Sequence, residues 1–177
     1  MQSIITLFLL TLFCTATLAQ PWEKELQTRL TFSQTSLDNW SAGGDNTWSW
    51  QSDILGKLNQ EQTMGKWTNT LKLSYGMTQI GDDDPRKSSD ELRFDSNYTF
   101  KSNTFVSPYV SFALLTQLAE GKDYATTPET TVSYFFDPAY FTESAGVSYQ
   151  VNQNLDTRLG GALKQTVVNK STIVEES

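Results

Sequence analysis

Apolar and polar side chains alternate along most of this chain. In the stretch KWTNTLKLSY, residues 66–75, Trp67, Leu71, Leu73 and Tyr75 share one parity, and threonine, lysine and serine occupy most of the other. Successive side chains of a β-strand point to opposite faces of a sheet. The alternation therefore predicts a strand with one apolar and one polar face.

Seven segments predict strands, and after the N-terminal region no segment keeps a helical period. The fifth segment, residues 104–118, is apolar on both parities in its middle. The residues that mark the apolar faces of the other six, in chain order, are Leu26, Leu30 and Phe32; Trp48, Trp50, Ile54 and Leu58; Trp67, Leu71, Leu73, Tyr75 and Met77; Leu92, Phe94, Tyr98 and Phe100; Phe141, Ala145, Val147, Tyr149 and Val151; and Leu155, Leu159 and Leu163.

The predicted connections between these strands alternate in length. The long ones are residues 37–46, 81–90 and 119–140, and the shorter ones are residues 59–65, 102–103 and 152–154. In an up-and-down sheet all the long connections then lie at one end. That arrangement is typical of outer-membrane barrels, which have long outer loops and short periplasmic turns.

Several features favour lipid over a protein core as the neighbour of the apolar faces. Many predicted strands exceed the ~5–6 residues that are usual in soluble proteins. Aromatic residues crowd the strand ends, with Trp40, Trp48 and Trp50 near long connections and Trp67 and Phe100 near short turns. The apolar faces of the first four predicted strands carry no charge. We therefore expect an antiparallel, up-and-down transmembrane β-barrel, with a soluble β-barrel or sandwich as the alternative.

Residues 1–19 predict a secretory signal peptide. An apolar run from Ile4 to Phe13 is followed by Thr17 and Ala19, small residues that fit cleavage after Ala19. Cys14, the only cysteine, leaves with this segment; lipidation of Cys14 is the alternative, which the bulky Phe13 disfavours. Export then predicts location in the cell outer membrane, and the partners expected are outer-membrane lipid and the barrel-assembly machinery.

Residues 20–177 are expected to form the N-terminal part of one β-barrel domain. Seven strands are visible, whereas single-chain bacterial barrels have an even number. After Val168 the chain is polar and offers no clear further strand. We therefore expect a truncated barrel, and the alternative is a short eighth strand at residues 171–174.

Charge and residue types limit the chemistry of the chain. The net charge is −7 and histidine is absent. Nucleic-acid binding needs a basic face, so no nucleic-acid partner is expected. Without histidine the chain lacks the commonest zinc ligand and the commonest general base. We predict no catalytic, cofactor-binding or metal-binding residues, and no enzymatic activity.

A few polar residues are nevertheless candidates for a site. The acidic run Asp82, Asp83 and Asp84 supplies carboxylates of the kind that bind Ca²⁺, although a solvated outer loop is the simpler interpretation. Asp53 and Asp95 are the one carboxylate pair that a hydrolase could use, and we do not favour it. A final pair, Gln117 and Arg158, are candidates for the lumen of a barrel.

Five motifs resemble a known family of uncharacterised, secreted, β-rich proteins from Bacteroidetes-like bacteria, the domain of unknown function three-zero-seven-eight. They are NWSAGGDNTWSW (39–50), WTNTLKLSYG (67–76), RKSSDEL (86–92), TQLAEGKDY (116–124) and FFDPAYFTESAGVSY (135–149). The resemblance covers about residues 40–168. It implies an outer-membrane barrel and no particular activity; EGKDY departs from the family's usual GY.

The function we expect is that of a non-enzymatic outer-membrane barrel, which acts as a small pore, an adaptor or a structural element. The alternative is a soluble periplasmic β-barrel that binds an apolar ligand in a lipocalin-like interior.

Overall fold

The computed structural model describes residues 21–37, 44–102, 104–125, 130–152 and 155–168, and its elements are all β-strands. In these residues no helix is long and apolar enough to cross a membrane. The predicted signal peptide, Trp40 and the alternative eighth strand at 171–174 lie outside them.

The strands are β1 (Glu23–Thr35), β2 (Thr47–Glu61), β3 (Gly65–Ile80), β4 (Arg86–Phe100), β5 (Val106–Thr116), β6 (Gly121–Asp123), β7 (Thr130–Ser133), β8 (Ala139–Asn152) and β9 (Leu155–Val167).

Seven strands form one antiparallel sheet in the order β1-β2-β3-β4-β5-β8-β9. They correspond to the seven strands predicted from the alternation, so the all-β, up-and-down prediction is confirmed. In the described part of the chain β1 and β9 each pair with one neighbour, and the sheet is open along these two edges. The described strands do not close into a barrel.

Two predictions about the loop regions are wrong. The predicted loop at 81–90 ends early, because Arg86 already pairs with Thr78 and begins β4. The predicted loop at 119–140 contains a hairpin of β6 and β7. Polar composition and proline conceal both features.

The apolar faces of the first four strands also carry charges that the alternation missed. Lys24 lies opposite Leu58, and Asp90 lies opposite Tyr75, in each case on the apolar face. A bulge beside Met77 places Lys87 on this face as well. All three lie near strand ends, outside the strand boundaries that were predicted from the sequence.

The connections keep part of the predicted alternation. At one end lie residues 36–46, 81–85 and 117–138, and at the other lie residues 62–64, 101–105 and 153–154. The first and last of the former group are longer than any of the latter, whereas 81–85 and 101–105 are equal in length. We call these ends the loop end and the short-turn end.

The sheet bends so that its polar face is concave. A Cβ atom added at Gly146 would lie 2.2 Å from the backbone oxygen of Leu159, and one at Gly160 would lie 2.7 Å from that of Ala145. Both glycines are on the polar face, where Tyr109 is opposite Gly146. Backbones that approach so closely on one face indicate a sharp bend towards it, a common reason for glycine in strands.

The apolar face is correspondingly convex. Cβ atoms added at Gly56 and Gly161, both on the apolar face, would have no atom within 4 Å. The exception on this face is Gly65, at the first residue of β3 beside a turn, where an added Cβ would meet the backbone oxygen of Thr99. Away from the strand ends, therefore, the polar face is crowded and the apolar face is splayed open.

A groove on the polar face shows how far the bend extends. Lys66 of β3 and Arg158 of β9 line the same concavity of about 730 Å³. These strands are four places apart in the sheet, which would separate them by about 19 Å if the sheet were flat. The polar face is therefore called the concave face below, and the apolar face the convex face.

The strands are also staggered, as strands of a barrel must be. Residues that pair across successive strands form a row that crosses the sheet. The row that contains Gly161, the middle residue of β9, also contains Trp67 and Gln60, and it continues to Trp22. Trp22 is seven residues before Arg29, the middle of β1. Seven residues along a strand span about 23 Å, and the six spacings from β1 to β9 span about 29 Å across the sheet. The ratio of these two distances corresponds to a strand tilt of about 40°. Tilts of ~35–45° are usual in transmembrane barrels.

The bend predicts opposite responses at two adjacent glycines. Gly160→Ala should lower the free energy of unfolding by about 1–3 kcal/mol, because the new methyl meets backbone of β8. Gly161→Ala, on the convex face, should change it by less than about 0.5 kcal/mol. Urea unfolding of the full-length protein, followed by tryptophan fluorescence, measures both. Equal losses would contradict the assigned curvature.

Candidate functional site

The convex face is mainly apolar, with polar residues between its apolar side chains. Phe94 of β4, Phe112 of β5, Phe141 of β8 and Phe136 form a chain of rings whose centroids are 6.5, 6.2 and 6.4 Å apart. These contacts tie neighbouring strands together on the side away from the bend. Phe94, Phe112 and Phe141 are half-buried by their neighbours and Phe136 is 40% exposed, and in the described part of the chain no second layer packs on them.

Aromatic pairs mark both ends of this face. At the short-turn end the Trp22 and Trp67 rings are 5.6 Å apart, and at the loop end Trp50 and Tyr75 are 5.9 Å apart. Trp50 lies opposite Phe32, ten residues after Trp22. Ten residues cover about 33 Å along a strand. If the strand is tilted by about 40° from an axis, this length corresponds to about 25 Å along that axis. The apolar band of outer-membrane barrels is also about 25 Å tall.

Polar atoms on the convex face are hydrogen-bonded to one another near these pairs. Trp67 Nε1 donates to Ser96 Oγ at 2.9 Å, and Ser96 Oγ donates to Asn69 Oδ1 at 2.8 Å. At the loop end Trp48 Nε1 donates to Gln79 Oε1 at 2.7 Å. The polar handles of the tryptophans are thus satisfied within the sheet.

Two charges remain on the convex face away from the loop end. Lys24 lies two residues after Trp22 in the chain. From there a long side chain reaches the border of the apolar band. Glu143 lies opposite Phe112 and Leu163.

The concave face carries most charges of β1–β4, and several of them form ion pairs or hydrogen bonds. Lys72 Nζ lies 2.9 Å from Glu91 Oε1, and Arg93 Nε lies 2.7 Å from Asp95 Oδ2. Across β2 and β3, Asp53 Oδ1 accepts hydrogen bonds from Ser74 and Gln51.

The structure does not bring Asp53 and Asp95 together. Asp53 lies opposite Ser74, and Asp95 lies opposite Thr70 on the other side of β3. Two strand spacings and four residues separate them by about 16 Å, which is too far for a catalytic carboxylate pair. Arg158 faces the concave groove, as a lumen residue would.

Gln117 organises the loop end. Its Nε2 donates to the backbone oxygens of Tyr134 and Asp137 at 2.9 and 2.6 Å. Its Oε1 accepts from Ser133 Oγ at 3.1 Å. Next to it, Thr116 Oγ1 donates to the Pro138 oxygen at 3.0 Å. Gln117 lies one residue beyond the end of β5 and its side chain holds the loop, and its lumen role stays a prediction.

A buried ion pair fastens the same loop to β4. The side chains of Lys87 and Asp90 are only 15% and 5% exposed. Asp90 accepts hydrogen bonds from Lys87 Nζ and from the backbone nitrogens of Leu118 and Ala119 at 2.6 and 3.0 Å. Lys87 Nζ also donates to the Ala119 oxygen. We call this ion pair, with the contacts of Gln117, the loop cluster.

The acidic run at the loop end is exposed. Asp83 Oδ2 accepts from Arg86 Nη2 at 3.0 Å, and Asp82 and Asp84 lie beside it. Among the described residues no three or more acidic, cysteine or histidine side chains are grouped so as to hold a metal ion. The run therefore has the geometry of a solvated loop in which one carboxylate pairs with a guanidinium.

Sequence reasoning missed Asp90 and Gln117 as organising residues. Asp90 has the same parity as Leu92, which is on the convex face. This signal places Asp90 on the convex face once β4 is known to begin at Arg86. No local pattern identifies Gln117, since its partners lie 16 to 20 residues away.

The buried pair predicts a specific effect on the loop end. Asp90→Asn keeps the shape but leaves the largely buried Lys87 without a counter-charge, a loss of about 1–3 kcal/mol. Amide hydrogen exchange at Leu118 and Ala119 should accelerate by about 5- to 150-fold. Asp82→Asn, in the exposed run, is the matched control and should leave exchange unchanged. Equal exchange in the two variants would mean that Asp90 does not hold the loop.

The comparisons with known proteins identify a family and nothing finer. No curated protein and no solved structure matches the chain. A family model described as "Protein of unknown function (DUF3078)" matches residues 32–121, which is half of the chain and includes β2–β5 and the ion pair of the loop cluster. The chain therefore belongs to the DUF3078 family of proteins of unknown function.

Proposed function

We propose that the chain forms part of the wall of a β-barrel in the bacterial outer membrane, with its convex face in lipid and its concave face towards the lumen. The observation that carries this proposal is the direction of curvature. A sheet that bends around its polar face has no apolar interior to enclose. Its apolar face points outward and needs a cover.

The exposure of apolar side chains supports lipid as that cover. Ala139 is the one buried apolar residue in the described part of the chain, whereas Leu26, Leu30 and Leu159 are 72%, 76% and 77% exposed. Each fully exposed side chain of this size forgoes about 1.5–3 kcal/mol of burial in water. A bilayer removes that penalty without a protein core.

The two open edges require further strands in such a barrel. Backbone groups along β1 and β9 would lack partners in lipid, and each unsatisfied group costs several kcal/mol. We therefore propose that strands beyond the described sheet pair with β1 and β9. The expected partners are outer-membrane lipid and the assembly machinery that inserts barrels.

The specific role that fits this wall is non-enzymatic: a small pore, an adaptor or a structural element. The alternative, a soluble periplasmic barrel that binds an apolar ligand, needs apolar side chains on the concave face. The charged and hydroxyl-rich concave face argues against that alternative.

A pair of adjacent substitutions on β3 tests the proposal. Leu71 is on the convex face and 39% exposed, so Leu71→Arg should weaken membrane assembly by up to about 2–4 kcal/mol. Lys72→Gln removes only a partly exposed ion pair, worth about 0–1 kcal/mol. After carbonate washing of outer membranes, wild type and Lys72→Gln should stay in the pellet and Leu71→Arg should be depleted.

Release of the wild-type protein by osmotic shock in soluble form would contradict the proposal. Equal membrane retention of the two variants would mean that the convex face does not contact lipid.

A further inference from the structure

We propose that a pocket on the concave face of β1–β3 binds a zwitterionic solute, such as a free α-amino acid, between Arg29 and Asp53. The pocket has a volume of about 350 Å³, and small-molecule sites commonly have volumes of ~300–1,000 Å³. Its lining includes Arg29, Gln51, Asp53, Leu55 and Lys72. The inference concerns the concave face alone and does not depend on what covers the convex face.

Arg29 and Asp53 carry opposite charges and face each other across β1 and β2, yet they do not form an ion pair. The two residues are directly opposite by register. Among the described residues, the guanidinium of Arg29 has no ion-pair partner. Four other carboxylates of the concave face each contact a lysine or an arginine, namely those of Glu25, Glu61, Glu91 and Asp95. The space between Arg29 and Asp53 is therefore open to a ligand.

Asp53 is held towards β3 by hydrogen bonds to one of its two oxygens. Asp53 Oδ1 accepts from Ser74 Oγ at 2.7 Å and from Gln51 Nε2 at 2.9 Å. Ser74 is only 4% exposed, and its hydroxyl also accepts from Gln51 Nε2 at 3.2 Å. Within the described ranges, Asp53 Oδ2 and Gln51 Oε1 accept no hydrogen bond. A carboxylate that is fixed through one oxygen loses little freedom when its other oxygen binds a ligand.

The unpaired groups of the pocket fit the two charges of one small ligand. A guanidinium presents a planar fork of donors that suits a carboxylate. Asp53 Oδ2 and Gln51 Oε1 are acceptors that suit an ammonium group. An α-amino acid carries both groups on one carbon, so it can bridge Arg29 and Asp53. A simple anion would leave Asp53 without a partner, and a metal cation would be repelled by Arg29.

The other lining residues favour a ligand without net charge and with an aliphatic side chain. Lys72 Nζ lies 2.9 Å from Glu91 Oε1, so its charge is already compensated. One positive and one negative charge, those of Arg29 and Asp53, then remain for a ligand. Leu55 lies beside them on the concave face and offers an apolar surface to a small side chain. Leucine is therefore a suitable probe.

Equilibrium dialysis of the purified full-length protein tests the site with three labelled probes. They are L-leucine; 4-methylpentanoate, which lacks the ammonium group; and 3-methylbutylamine, which lacks the carboxylate. Leucine should bind about tenfold or more tightly than either analogue, because each analogue leaves one charge of the pocket without a partner. Absence of leucine binding, or equal binding of leucine and either analogue, would overturn the proposal.

Two variants assign each charge of the ligand to its residue. Arg29→Gln should weaken leucine binding by about tenfold or more and abolish the preference over 3-methylbutylamine. Asp53→Asn keeps an oxygen that accepts from Ser74, and it should abolish the preference over 4-methylpentanoate. Lys66→Gln, which removes a charge of the same face outside this pocket, is the matched control and should bind leucine as the wild type does.

Full leucine binding by Arg29→Gln or by Asp53→Asn would overturn the proposal. Unchanged urea midpoints show that the variants remain folded, and the comparison of the three probes on the wild type needs no variant. The membrane proposal stands or falls separately, because this binding is measured on purified protein.

Discussion

The direction in which the sheet bends governs what can cover each of its faces. Glycines at 146 and 160 let β8 and β9 approach closely on the polar side, and Tyr109 lies across the space that side chains would otherwise fill. Once the polar face is concave, the apolar side chains splay outward and cannot meet in a core. The ion pairs of the concave face and the ring contacts of the convex face both suit the arrangement that we propose, with water on the inside of the bend and lipid on the outside.

The loop end adds rigidity where an open sheet would otherwise fray. Asp90 and Lys87 form a buried pair that holds the backbone of Leu118 and Ala119, and Gln117 holds the turn before β8. Three of the motifs that carry the family resemblance, RKSSDEL, TQLAEGKDY and FFDPAYFTESAGVSY, meet in this cluster. The family match covers the first of these motifs and part of the second. The residues of the cluster position loops at this end of the sheet.

Much of this fold follows from local pattern, because a period of two fixes the face of each residue within a strand. All seven strands of the sheet, and the apolar parity of Leu71 or Phe94, could be predicted in this way. The start of β4 could not, since Pro85 and the charges after it have a loop-like composition. Curvature was also beyond local pattern: the contact of Gly146 with Gly160 depends on the register between two strands. The groove of Lys66 and Arg158 depends on that same bend, and only Arg158 was anticipated as a concave-face residue.

Site-directed spin labelling along β3 tests the central claim most directly. The mature chain is predicted to lack cysteine, so single cysteines at residues 70 to 75 of the full-length protein can carry a nitroxide in lipid vesicles. The account predicts that labels at Leu71, Leu73 and Tyr75 collide preferentially with oxygen, which concentrates in lipid. Labels at Thr70, Lys72 and Ser74 should collide preferentially with a water-soluble nickel chelate. The opposite alternation, or access of the chelate to both sets, would contradict an apolar face in lipid around a polar interior.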